Sequence, residues 1–226
     1  MRMLSLSALL IAASALLAGC ASASPAWGTD MQVYIVHGYA ASPSDHWFPW
    51  LRQKLQQQGA TVTVIELPSP DAPRPGEWQR AIERQVRGLD ESTYFVAHSL
   101  GSIALLRYLD SAPAGTRIGG YVLVSGFNDR LPALPQLDSF VTPDLDNGRL
   151  VGMTRHRVVI AAADDSIVPF ALSRDLATAV ASSFVPAERG GHFLASDGYR
   201  QFPLVLQELQ KAMQSEAPEP VPAASR

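Results

Sequence analysis

Cysteine is almost absent from this chain: Cys20 is the only one in 226 residues. A single thiol excludes an internal disulfide framework and any Cys-rich zinc or iron–sulfur site. There is no cationic run either, and 18 Lys and Arg stand against 21 Asp and Glu, a net charge of −3. Nucleic-acid binders carry a basic patch or stripe, so that partner class is set aside. The sequence holds no His-x-x-x-His pair and no Gly-rich dinucleotide fingerprint followed by a helix and an acidic residue, so no metal and no cofactor is implied. No internal repeat stands out. What is there is 47% apolar and 8% aromatic residues, enough to bury a substantial core in one domain.

The first 19 residues carry one charge, Arg2, and no acidic residue precedes Asp30. That is the charged start and short apolar stretch of a secretory signal peptide. A membrane span needs about 20 strongly apolar residues, and this stretch is diluted by Ala and Ser. It ends in Leu17-Ala18-Gly19-Cys20, which resembles a bacterial lipobox. The resemblance implies cleavage before Cys20 and lipid attachment to its thiol, hence a membrane partner through that anchor. The expected location is the cell envelope, facing the periplasm, with Ser22 favouring the outer membrane. Residues 1–19 then read as signal peptide, 20–29 as a lipidated tether, 30–213 as the folded domain and 214–226 as a flexible tail.

Within the folded part, strand and helix patterns alternate. β-rich runs at Gln32–Val36, Thr61–Glu66, Thr93–Ala97, Ile118–Val124, Arg157–Ala162 and Ser183–Val185 predict about six strands. Helices are expected from Trp47 to a C-cap at Gly59, from Pro75 to about Gly88, and over Ser99–Leu109, Ala171–Val180 and Tyr199–Met213. Near-continuous apolar strands separated by helices predict an α/β fold, a three-layer sandwich around a mostly parallel sheet. Phe127–Thr154, with three prolines and little periodicity, reads as a functional loop over a site.

Phe95-Val96-Ala97-His98-Ser99-Leu100-Gly101 places a serine where a strand gives way to a helix. It matches the Gly-x-Ser-x-Gly nucleophile elbow with Ala97 in place of the first glycine. A serine on so sharp a turn needs small neighbours two residues away, and the helix N-terminus behind it favours a developing negative charge. In α/β-hydrolases the order is serine, acid, histidine. After Ser99 a buried strand opens into Asp164-Asp165-Ser166-Ile167-Val168-Pro169, and Gly190-Gly191-His192 follows the last short strand. Both Asp164 and Asp165 are candidates for the acid. Asp165 has the Asp-x-x-Val-Pro spacing and is favoured, with Asp164 as a loop-stabilising residue. The oxyanion hole is expected from the backbone N–H of Leu100 and of Tyr39, the latter in the Val36-His37-Gly38-Tyr39 turn. His37, Gly38, Tyr39, His98, Phe127 and Phe140 are the candidate pocket residues, since their segments should lie at the carboxyl edge of the sheet.

These motifs together resemble the small serine hydrolases that include retinoblastoma-binding protein nine and the bacterial YdeN-type proteins. The most specific piece is His37-Gly38 followed by Ser42-Pro43-Ser44-Asp45-His46-Trp47-Phe48-Pro49-Trp50-Leu51. Leu67-Pro68-Ser69-Pro70-Asp71-Ala72-Pro73, Trp78, the elbow, Asp165 with Val168-Pro169, and Gly190-Gly191-His192-Phe193 match in order. The resemblance implies a compact α/β-hydrolase fold without a large cap domain. It also implies serine hydrolase activity, with the triad roles falling on Ser99, Asp165 and His192. The expected substrate is a small carboxylic ester, short acyl groups favoured, passing through an acyl-enzyme. The same side chains serve thioester and amide cleavage, and a weakly active binding lipoprotein on a hydrolase scaffold is the reading from another class.

Overall fold

The computed structural model describes residues 30–215, so the leader, Cys20, the tether and all but the start of the tail lie outside the described residues. Strands β1 (Gln32–Val36), β2 (Thr61–Ile65), β3 (Thr93–His98), β4 (Gly120–Val124), β5 (His156–Ala162) and β6 (Ser183–Ala187) form one sheet. Their spatial order is β2-β1-β3-β4-β5-β6 and every pairing is parallel. The chain runs outwards from β1 to β2, then returns to lay β3 on the other side of β1. The loops at the carboxyl ends of β1 and β3 therefore part in opposite directions, opening a crevice where α/β sheets bind ligands.

Alternation along the strands builds two cores. Val33 and Ile35 of β1, with Val122 and Val124 of β4, face helices α1 (Phe48–Gln57) and α6 (Pro203–Ser215). Tyr34, Val36, Phe95, Ala97 and Leu123 face the opposite way, onto α2 (Pro75–Gln85), α3 (Leu100–Asp110) and α5 (Phe170–Ala179). Helix α3 is enclosed almost all round, with Leu100 through Leu106 buried as well as Leu109. Only an apolar helix with small residues at its start fits there, which is why the elbow continues as Leu-Gly-Ser-Ile-Ala. β6 lies at the sheet edge, where Pro186 can lack an N–H without breaking an inner ladder.

Several boundaries differ from the expectation, and the two largest shifts have a local reason. Helix α2 ends at Gln85, not near Gly88, because Val86 turns extended and its ladder bond to the Ile82 carbonyl is the last. α6 begins at Pro203 rather than Tyr199, since proline starts a helix but drives its predecessor out of helical geometry. β4 begins at Gly120, and β6 runs on to Ala187. The larger difference lies in Phe127–Thr154. Rather than one loop, it holds a 3-10 turn, Pro135–Phe140, and a short helix α4, Asn147–Met153. The helix signal was local: Asp146 caps it by accepting from the Arg149 N–H at 3.0 Å, and Leu150 and Met153 supply its buried face.

Candidate active site

Ser99 sits between the end of β3 and the first residue of α3, with φ 52° and ψ −125°. For a residue with a Cβ this conformation costs on the order of 1–3 kcal/mol and persists only where its surroundings enforce it. They do: the Ser99 N–H donates to the Val124 carbonyl at 2.8 Å, and its own carbonyl accepts from Ser102 at 2.9 Å. The second glycine of the elbow has an equally direct cause. A Cβ on Gly101 would stand 2.4 Å from the His37 carbonyl oxygen and 2.6 Å from that of Val36. Helix α3 is thus pressed against the β1 turn, and the same closeness brings Gly38 against Ser99, where an added Cβ would lie 3.0 Å from the serine Cβ.

His192 follows β6 on a loop held by two carboxylates. Asp164 Oδ1 accepts from the N–H groups of Gly190 and Gly191, both at 2.8 Å. Asp197 Oδ2 accepts from those of His192 and Leu194, both at 3.0 Å. Phe193, in the left-handed region at φ 56°, is driven into the core, its ring stacked on Phe202 at 4.7 Å. The imidazole itself meets Asp165, Nδ1 to Oδ2, at 2.8 Å, with the aspartate side chain 1% exposed. Asp165 accepts three further hydrogen bonds, each at 2.9 Å: Ser125 Oγ to Oδ2, and the Ile167 and Val168 amides to Oδ1. Burial pushes the Asp165 carboxyl up, but the hydrogen bond from His192, its charge and the two amides outweigh it, and the net direction is down. An ionised Asp165 accepts from Nδ1–H, so whenever the ring carries a single proton Nε2 is its basic nitrogen.

The two aspartates at the end of β5 are therefore placed differently, Asp165 on the imidazole and Asp164 on the loop that carries it. His98 braces the same loop from below: its Nε2 lies 2.9 Å from the His192 carbonyl, to which it donates. Burial, with the neighbouring His192, holds the His98 ring well below its ordinary pKa, so it is neutral.

Ser99, His98 and His192 line a common cavity of about 360 Å³. Tyr39, Leu134, Leu137, Ile167 and Leu194 form most of its apolar wall, and His46 closes one side. Among the six pocket residues expected from sequence, Tyr39 and His98 are on this wall. Gly38 stands behind Ser99. His37 is buried away from the cavity, where it ties two loops together: Nδ1 lies 2.9 Å from the Gly38 carbonyl, and Nε2 accepts from the Leu67 N–H at 3.3 Å. Phe127 and Phe140 are also core residues, 1% and 0% exposed. Phe140 packs edge-on against Trp78 at 5.3 Å, and its carbonyl is gripped by Arg107. A phenyl ring gains about 1.5–3 kcal/mol from full burial, which favours that seat over a wetted wall. The segment contributes Leu134 and Leu137 instead, and neither these, Ile167, Leu194, His46 nor Ser125 was singled out in the sequence. A signal existed for His46 and Ile167, which lie inside the quoted motifs.

Of the expected oxyanion donors, Leu100 opens α3 and Tyr39 follows Gly38 on the β1 turn. The next amide, Ala40, is engaged by the Pro70 carbonyl at 2.9 Å, which removes it as a rival to Tyr39. Among the described residues no group of three or more His, Cys, Asp or Glu side chains is placed to hold a metal ion.

A sequence model described as serine hydrolase matches residues 33–211. YdeN of Bacillus subtilis, named as a hydrolase, is 42% identical over 178 residues, 79% of this chain and 94% of that protein. Its crystal structure superposes with a TM-score of 0.79, at 41% identity, covering 80% of this chain and 98% of the other. Serine hydrolase RBBP9 of Rattus norvegicus is 21% identical over 169 residues, 74% of this chain and 88% of that one. With the family model spanning the sheet from β1 to α6 and the YdeN likeness covering the same ground, the chain belongs to the serine hydrolase family.

Proposed function

We propose that the protein hydrolyses small carboxylic esters through an acyl-enzyme on Ser99. The observation that carries this reading is the 2.8 Å contact between the buried Asp165 carboxylate and His192, which lines the same cavity as a serine held in a strained elbow. In this mechanism His192 Nε2 takes the Ser99 proton as Oγ attacks the ester carbonyl. The resulting oxyanion is met by the N–H groups of Leu100 and Tyr39. His192 then returns the proton to the leaving alcohol oxygen, and a water activated by the same nitrogen releases the acid. Asp165 fixes the tautomer and stabilises the imidazolium, remaining ionised throughout.

The substrate class follows from the walls. Leu134, Leu137, Ile167 and Leu194 favour an uncharged, apolar acyl group, and about 360 Å³ is at the small end of ligand cavities, which supports short chains. The test is turnover of p-nitrophenyl esters from acetate to dodecanoate by residues 21–226. Butanoate or hexanoate is expected to be fastest, and Ser99→Ala to lose at least roughly a thousandfold in kcat/KM. Equal rates in wild type and variant would sink the reading. The lipid anchor at Cys20 is proposed on the lipobox alone: radiolabelled palmitate should enter the full chain expressed in a bacterial host and not its Cys20→Ser variant.

A further inference from the structure

Resting on the ester reading above, we propose that His46 is a specificity-determining residue. Its Nε2–H would donate to an oxygen acceptor in the alcohol portion of the substrate. The direction of the hydrogen bond is set by the backbone. His46 Nδ1 lies 3.1 Å from the Ala195 N–H, and a peptide N–H can only donate, so Nδ1 carries a lone pair. A neutral imidazole that accepts at Nδ1 carries its proton on Nε2. Burial lowers the His46 pKa and, with the charge on His192, outweighs the carboxylates of Asp45 and Asp197, which agrees with a neutral ring.

The ring is held, not free to turn. It packs edge-on against Phe48 at 5.5 Å and against His98 at 5.8 Å. Its backbone is in the left-handed region at φ 52°, and the turn before it is tied by Asp45, whose Oδ2 accepts from the Ser42 N–H at 2.7 Å and the Ser42 hydroxyl at 2.8 Å. The side chain is half-buried on the cavity wall, and Nε2 has no protein partner among the described residues. A fixed donor in a mainly apolar cavity discriminates: it rewards an acceptor and gains nothing from a methylene.

Position identifies which half of the ester it reads. His46 grips Ala195, three residues beyond His192, and its ring reaches His192 through His98, whose ring is 4.8 Å from that of His192. His192 delivers its proton to the leaving oxygen, so a donor on the His192 side lies beside the alcohol rather than along the acyl chain. The predicted substrates are neutral esters whose alcohol bears an ether, hydroxyl or carbonyl oxygen a few atoms beyond the scissile bond.

The test compares 2-methoxyethyl butanoate with butyl butanoate, which differ in one position, oxygen against methylene. The ratio of their kcat/KM values is measured in wild type and in His46→Phe, so that intrinsic leaving-group reactivity cancels between proteins. The ratio is expected to fall roughly fivefold to tenfold in the variant, the range of one neutral hydrogen bond. His46→Gln, whose amide can accept from Ala195 and donate into the cavity together, is expected to keep most of the preference. His46→Leu repeats the measurement if the phenyl ring compromises folding, judged by the melting transition. A ratio within twofold of wild type in His46→Phe or in folded His46→Leu overturns the assignment while leaving ester hydrolysis intact. Folded wild-type protein inert toward both esters overturns the ester reading, and the role of His46 with it.

Discussion

Asp164 and Asp165 are adjacent in the chain, yet one carboxylate holds a loop and the other holds an imidazole. The division of labour predicts unequal consequences. Asp165→Asn removes the acceptor that fixes the His192 tautomer, and kcat should fall by roughly four orders of magnitude at pH 7. Asp164→Ala frees the Gly190 and Gly191 amides, each in a charge-assisted bond, so stability should drop by about 1–3 kcal/mol with kcat reduced far less. Denaturant titration and steady-state kinetics on the two variants check this, and equal kinetic damage would contradict the assignment. Spacing to Val168-Pro169 was enough to favour Asp165 in the sequence, because the acid turn is built locally: its Oδ1 accepts from residues two and three further on. Ser125 was not legible in the same way. Its hydroxyl meets Asp165 from the residue just past β4, 40 positions earlier, a pairing that only the sheet order creates.

At the scale of elements, the contact between α3 and the β1 turn governs the geometry around Ser99. Helix propensity alone predicts that Gly101→Ala stabilises α3 by about 1 kcal/mol. The Cβ would instead meet two backbone carbonyls at 2.4 and 2.6 Å, and neither can rotate away as a side chain would. Overpacking of this kind costs about 1–3 kcal/mol, so the substitution should destabilise the fold on balance. It should also slow turnover, since relief of the clash moves Ser99 away from Tyr39. A variant with a raised melting temperature would show that the approach is looser than described. The strands and most helices were readable because each combines an apolar run with a local stop signal. The stretch between β4 and β5 was not, since α4 is only seven residues long and its neighbouring 3-10 turn has no period of its own. That is also why Phe127 and Phe140 were expected on the cavity wall beside Tyr39, which does line it. Aromatic rings in an unplaced segment look like pocket residues until the helices that bury them are known.

Across the whole molecule, the buried histidines couple stability to pH. His37, His46 and His98 all have pKa values lowered by burial from an ordinary value near 6.5, so the unfolded chain binds more protons than the folded one as the pH falls below that value. Stability should be nearly flat above about pH 7.5 and decline between about pH 6.5 and 5. Asp165, with its pKa lowered, contributes in the same direction but only at more acidic pH, where its carboxylate begins to protonate. Melting temperatures across this range check the sign, and a protein that gains stability on acidification would contradict it. Burying these histidines costs acid tolerance, and in His98 it yields a neutral, hydrogen-bonded support for the His192 carbonyl.

The claim that holds these scales together is that Ser99 is a nucleophile activated by His192. A fluorophosphonate ester tests it most directly, because it reacts with an activated serine whatever the natural substrate. Intact-mass analysis of residues 21–226 should show one adduct per chain, and peptide mapping should place it on Ser99. Labelling should vanish in Ser99→Ala and slow by at least roughly a hundredfold in His192→Ala. Folded wild-type protein that takes up no label, or takes it up elsewhere, would contradict the account.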